Sequence, residues 1–349
     1  MRAPPTACVP ARSALHLRRR LLASAFACGL WGLLAAPASA VTIEWVFVGD
    51  PGNAADMPSG NCFAANCGSV GYEFYISTYQ VTNAQYAEFL NAKAASDPLG
   101  LYNANMGSSA EGGITRSGSP GSYTYAVKPG FADKPVNYVS FYDSLRFTNW
   151  LNNGQGNADI ETGAYTLLGG TATPSNGTTV TANPGAKIFL PSENEWYKAA
   201  YWDPGTQSYF DYPAGSNAQT VCAAPGATAN TANCDSVAGN VTDVGAYTGS
   251  ASPNGTPDQG GNGWEGTEEI VSDPLRVVRG GSWFSGAGNL AASSPALDGP
   301  TNESFWIGFR VARLVPEPTT SLPAVIALAG LAARQERRNG RVRCDRPDR

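Results

Sequence analysis

The chain of 349 residues has one histidine, His16, and it lies outside the stretch from residue 41 to residue 318. That absence removes Ser-His-Asp triads, imidazole acid–base catalysis and imidazole metal sites from the central region. Charge is scarce as well, at 15% of residues, and basic charge scarcer still. Residues 41–318 hold 11 Lys+Arg against 25 Asp+Glu, a net charge of −14. A phosphate backbone needs a basic surface, so no nucleic-acid partner is expected. An acidic surface instead favours solubility and hard cations.

The ends have a different composition. Residues 1–40 carry five Arg and no acid: Arg18-Arg19-Arg20, an apolar run from Leu21 to Ala36, then Pro37-Ala38-Ser39-Ala40. A basic start, a short apolar stretch and a small-x-small ending describe a secretory signal peptide cleaved after Ala40. The run falls short of the roughly 20 apolar residues that span a bilayer. At the other end, Pro316-Glu317-Pro318 precedes the uncharged stretch Thr319 to Ala333 and then Arg334, Arg337 and Arg338. Residues 316–349 thereby resemble a PEP-type sorting signal of Gram-negative bacteria followed by a basic tail. The resemblance implies an exosortase-type sorting enzyme as partner and transient membrane association through the signal. It also implies a destination in the periplasm, on the outer cell surface or in the extracellular matrix.

Export sets the reading of cysteine. Cys8, Cys28 and Cys344 lie in the terminal segments, leaving Cys62, Cys67, Cys222 and Cys234 in the core. An even number in an oxidising compartment suggests disulfides. Spacing does not choose among the three connectivities, although Cys62–Cys67 and Cys222–Cys234 would each staple one loop. A metal site is the alternative, but no histidine completes it.

Residues 41–315 read as one α+β domain with few helices, short strands and much irregular loop. Thr82-Asn83-Ala84-Gln85 is a capping box ahead of Tyr86, Phe89, Leu90 and Ala94 at helical spacing. Ser140 and Asp143 open a second helix with Phe147, Trp150 and Leu151 inward, and Ser192 and Glu195 open a third with Trp196, Ala199 and Ala200 inward. Strands are expected over 42–48, 72–79, 275–279 and 309–314. The pairs Glu193/Glu195 and Glu268/Glu269 invite a glycosidase reading. Capping explains Glu195 better, and Glu268/Glu269 read as a solvated turn. Gly260-Gly261 and Gly280-Gly281 lack the Lys-Ser/Thr of a phosphate loop.

Six stretches then stand in a telling order: YQVTNAQYAEFLNA, KPVNYVSFYDSLRFTNWLN, LPSENEWYKAAYWDP, DQGGNGWEGTEE, VVRGGSWFSG and WIGFRVAR. Together they resemble the formylglycine-generating enzyme (sulfatase-modifying factor) domain over about 43–314. The resemblance implies a C-type-lectin-like variant fold. Most of the aromatic residues in these motifs, Trp150, Trp196 and Phe309 among them, are expected to be core.

The resemblance also implies an activity to test. Enzymes of this family oxidise a sulfatase cysteine to formylglycine with oxygen and a copper(I) ion held by two cysteines after the RGGS motif. Here Arg279-Gly280-Gly281-Ser282 places Ser285 and Leu290 at those two positions. Neither offers the soft sulfur that Cu(I) selects, so copper is not expected. Ser282 matches the motif serine but has no base or metal to activate it. Relatives that bind non-haem iron through histidines are excluded by the lack of His. Two functions remain: an exported binding or structural module with an unknown glycan or protein ligand, or a formylglycine-generating oxidase with its copper ligands elsewhere.

The family resemblance implies structural calcium. By position the ligands would be the Asp258 carboxylate, the Gly261 and Gly263 carbonyls and the Glu265 carboxylate. Asn240 and Val241 match a second calcium loop less well, with only Asp243 nearby to supply a carboxylate. Glycines let a tight loop turn its carbonyls toward an ion that takes six to eight oxygens.

Overall fold

The structure is a computed structural model that describes residues 40–56, 61–272 and 274–316. Apart from Ala40 and Pro316, the segments expected to be a signal peptide and a sorting signal lie outside the described residues. Strand β1 (Trp45–Val48) pairs antiparallel with β2 (Phe74–Ser77), followed by helix α1 (Asn83–Lys93) and the single turn α2 (Asn105–Ser108). A hairpin of β3 (Ile114–Ser117) and β4 (Thr124–Val127) leads to α3 (Phe141–Asn152). After β5 (Ile188–Phe189) come α4 (Glu193–Tyr201), β6 (Trp202–Asp203), β7 (Ser208–Tyr209), β8 (Val221–Cys222) and β9 (Thr231–Ala232). The C-terminal part holds β10 (Trp264–Ser272), β11 (Leu275–Arg279), β12 (Ala296–Asp298), β13 (Ile307–Gly308) and β14 (Ala312–Leu314).

Two four-stranded sheets organise these pieces, in the orders β1-β2-β14-β5 and β12-β11-β10-β13. The last strand thus inserts between β2 and β5, which brings the residues just before it into the centre of the domain. The expected strands are shorter in the structure: 42–48 narrows to Trp45–Val48, 72–79 to Phe74–Ser77 and 309–314 to Ala312–Leu314.

All three helix starts are the capping boxes expected. In each, the Ser or Thr side chain accepts from the third backbone N–H, and the third residue's side chain returns a bond to the cap backbone. Each such cap contributes about 1 kcal/mol. The inward faces of α1 and α3 meet in an aromatic cluster. Phe147 stacks on Tyr86 at 5.9 Å and contacts Phe89 and Phe309 edge-on at 5.5 Å each, with Trp150 beside Phe89. Trp150, Trp196 and Phe309 are core, as expected.

One expectation needs correction. Glu268/Glu269 lie in strand β10, not in a solvated turn. Glu268 is half-buried, and its carboxylate accepts from Ala182 N at 2.6 Å and Tyr165 Oη at 3.1 Å. The strand was illegible because its inward residues, Glu265 and Thr267, are polar and find partners inside. Helix α4, legible from its capping box, likewise buries polar side chains: Glu193, Glu195 and Lys198 are buried along with Trp196.

Disulfides join Cys62 to Cys67 and Cys222 to Cys234. Both close short loops, so each is worth roughly 2–3 kcal/mol. The oxidised chain is expected to have a mass 4 Da below the fully reduced chain, with Cys62, Cys67, Cys222 and Cys234 refusing alkylation until a reductant is added. Alkylation of any of the four without reductant contradicts the pairing.

Candidate functional site

Strands β10 and β11 pair so that Glu265 lies opposite Arg279, and the chain then turns through Gly280-Gly281. Gly280 has φ +94°, and a Cβ there would stand 2.5 Å from the Gln259 carbonyl, so the turn admits no side chain. Arg279 is fully buried. Its guanidinium pairs with the equally buried Glu193 and donates to the Ala292 carbonyl at 2.8 Å and to the Asn61 carbonyl. The second oxygen of Glu193 accepts from Phe63 N at 2.8 Å and Ala64 N at 2.7 Å. One ion pair therefore holds the Cys62–Cys67 loop, α4 and the RGGS turn together.

Beyond the turn, Ser282 and Ser285 lie together. Their hydroxyls are 3.0 Å apart, Ser285 Oγ accepts from Ser282 N and Trp264 Nε1 at 3.1 Å each, and Ser282 Oγ accepts from Phe284 N at 3.3 Å. No general base touches either hydroxyl in these contacts, so neither is poised as a nucleophile. Leu290 is fully buried against Ala232 and Cys234. Sequence distance hid that neighbour: Cys234 comes to the shoulder of the site, with its sulfur bonded to Cys222. The positions that would hold copper thus present a hydrogen-bonded hydroxyl and an apolar side chain. They do not fit Cu(I), which takes thiolates.

Beside the serines is an aromatic ledge. Phe284 is 60% exposed and lies 6.2 Å from Phe305, which packs on Trp306 at 4.7 Å and on Trp283 at 5.8 Å. Adjacent Phe and Trp residues, Trp283-Phe284 within one motif and Phe305-Trp306 at the edge of another, are the available sequence signal.

The expected calcium residues fall in two places. Asp258 is buried with φ +57°, and its carboxylate accepts from Gly245 N at 2.6 Å. Burial pushes its pKa up to about 6. Glu265 is fully buried and paired by both oxygens with Arg310. Trp196 Nε1 and Gln80 Nε2 donate to it at 2.6 and 3.0 Å, and Gln80 also donates to the Gly263 carbonyl. The Glu265 carboxylate is therefore saturated. In the second loop the Asn240 carbonyl accepts from Asn233 Nδ2, and the Val241 carbonyl accepts from Lys134 Nζ. Among the described residues no three His, Cys, Asp or Glu side chains gather to hold a metal ion. These residues do not fit calcium.

A sulfatase-modifying factor enzyme 1-like domain matches residues 51–315. The chain belongs to that family. Similar curated proteins are the hercynine oxygenases of Mycolicibacterium thermoresistibile, 27% identical over 274 residues, and of Mycolicibacterium smegmatis, 26% identical over 269. Each alignment covers 68% of this chain and 50% or 52% of the relative, so the chain spans about half the length of the curated relatives it matches. The crystal structure of CarF superposes with a TM-score of 0.53 at 23% identity, covering 79% of this chain and 99% of that one. The fold is the C-type-lectin-like variant of this family, with few helices, short strands and much irregular loop.

Two predictions follow from the buried charges. Replacing Arg279 with Met strands Glu193 and should cost about 3–5 kcal/mol, read as a lowered urea midpoint. A midpoint equal to the parent's contradicts the clamp. The second concerns pH. Burial raises Asp143, the α3 cap partner, to about 7, above its ordinary value of 3.8, and Asp258 to about 6. The folded state then holds protons that the unfolded chain releases. That contribution is complete below about pH 4 and is lost as pH rises through about 6 to 7. Asp143→Asn should flatten the melting-temperature slope between pH 5 and 7.5. An unchanged slope contradicts the assignment.

Proposed function

We propose that this chain is an exported member of the family without copper oxidase chemistry, acting as a binding or structural module of the cell envelope. The observation that carries the reading is the pair Ser285 and Leu290, which leaves no thiolate at the positions where the family resemblance places copper. Hydroxyl oxygen is a hard ligand and a leucine side chain is none, so Cu(I) loses both anchors. Iron held by imidazole, the other metal considered for relatives of this family, is unsupported, because the described residues contain no histidine.

The aromatic ledge is the surface we assign to a ligand. An exposed Phe284 backed by Phe305 and Trp306 offers flat apolar faces that stack on a sugar ring or on peptide side chains. Two disulfides and a signal-like N-terminus support an oxidising, extracytoplasmic compartment. No helix among the described residues is long and apolar enough to cross a membrane. Membrane contact is assigned to the C-terminal sorting signal alone, with an exosortase-type enzyme as its processing partner.

The oxidase alternative has one structural foothold, Cys234 beside Leu290, and the test is built to catch it. The chain is incubated in air with Cu(I) and a cysteine-containing sulfatase-motif peptide, with the disulfides intact and again after reduction. Neither condition should yield peptide aldehyde above a no-protein control. Copper-dependent aldehyde in either arm overturns the proposal.

A further inference from the structure

Each loop in which the family resemblance places calcium is entered by a cation that belongs to this chain. Lys134 Nζ donates to the Val241 carbonyl at 2.6 Å and lies 3.8 Å from the Asp243 carboxylate. These are the carbonyl and the carboxylate that the second loop offers to an ion. Lys134 is pinned for the task. Its carbonyl accepts from Asn83 N at 2.9 Å and Asn83 Nδ2 at 3.1 Å, while the neighbouring Asp133 carbonyl accepts from Val244 N at 2.9 Å. The ammonium thereby ties the first turn of α1 to the 241–244 loop.

In the first loop the cation is a guanidinium. Arg310 meets both oxygens of Glu265 and also donates to the Ser77 carbonyl at 3.0 Å and the Pro257 carbonyl at 3.1 Å. With Trp196 and Gln80 added, four donors fill the lone-pair directions of one carboxylate. A divalent ion at this carboxylate would displace a donor and face the guanidinium at close range. Two buried acceptors near these loops, Asn233 Oδ1 and Gln80 Oε1, have no donor. Of the two first-loop carboxylates, Glu265 is saturated and Asp258 is held by Gly245 N, and among the described residues no three His, Cys, Asp or Glu side chains gather to balance a double positive charge.

We infer that Lys134 and Arg310 stand in for calcium, so that the folded chain is held by its own side-chain cations and requires no metal. A covalently attached cation neutralises its partners at every calcium concentration and survives a chelator, whereas a bound ion stabilises only in proportion to its occupancy.

The test uses the purified full chain. Its melting temperature is measured in 2 mM EGTA and again in about 5 mM CaCl2, and its calcium content is measured by elemental analysis after dialysis without chelator. The two melting temperatures should coincide, and calcium should fall well below one ion per chain. Lys134→Met, which keeps the length of the side chain and removes its charge, should melt about 3–6 °C lower in EGTA, the shift expected for loss of one charge-assisted hydrogen bond in a chain of this size. Stoichiometric calcium, or a parent that melts lower in EGTA, overturns the inference. A Lys134→Met variant that melts like the parent removes Lys134 from it.

Discussion

The carboxylate of Glu265 is the point on which the domain turns. It receives Arg310 from the start of the last strand region, Trp196 from α4 and Gln80 from the turn after β2. Segments that are far apart in sequence are thereby fastened to one strand, β10, in a molecule with little continuous secondary structure to do that work. A buried ion pair is a poor source of net stability, because desolvation offsets most of the Coulomb gain. Its value here is specificity of arrangement. A misplaced Arg310 would leave two charges unpaired in the interior, so the inserted β14 has one register that satisfies both. The Glu193–Arg279 pair repeats the device one strand away and fixes the RGGS turn.

A scaffold held in this way can lose its chemistry without losing its shape. The clamp residues Glu193, Arg279, Glu265 and Arg310 and the motif serine Ser282 are buried, while Ser285 is half-buried and Phe284 of the aromatic ledge is exposed. Substituting the two copper positions leaves the clamps intact. Ser285 has become part of the local framework through Trp264 and Ser282, and Leu290 fills the core beside Cys234. The aromatic ledge beside these positions is the surface to which the proposed binding role is assigned.

Much of the fold was legible in the sequence wherever a local rule governed it. The three capping boxes marked α1, α3 and α4, and the 3.6-residue spacing of Tyr86, Phe89, Phe147 and Trp150 marked the faces that meet. Strand β10 escaped because Glu265, Thr267 and Glu268 break the alternation that signals a half-buried strand, and their partners come from distant segments. The site was half legible. Ser282, Ser285 and Leu290 could be placed by motif, yet the nearness of Cys234 and the exposure of Phe284 depend on tertiary packing that no spacing encodes. The calcium expectation rests on Gly-rich loops and carboxylates, and tertiary packing brings Arg310 to the Glu265 oxygens and Lys134 to the Val241 carbonyl.

The central claim is that the described residues hold no soft-metal centre, and a Cu(I) competition titration tests it most directly. The disulfide-bonded chain, with the terminal Cys8, Cys28 and Cys344 replaced by Ser, is titrated anaerobically against a chromophoric Cu(I) chelator that binds far more tightly than carboxylates or amides do. With Ser285 and Leu290 at the two ligand positions, the account predicts that all copper stays with the chelator. Retention of one Cu(I) per chain by the protein would contradict it.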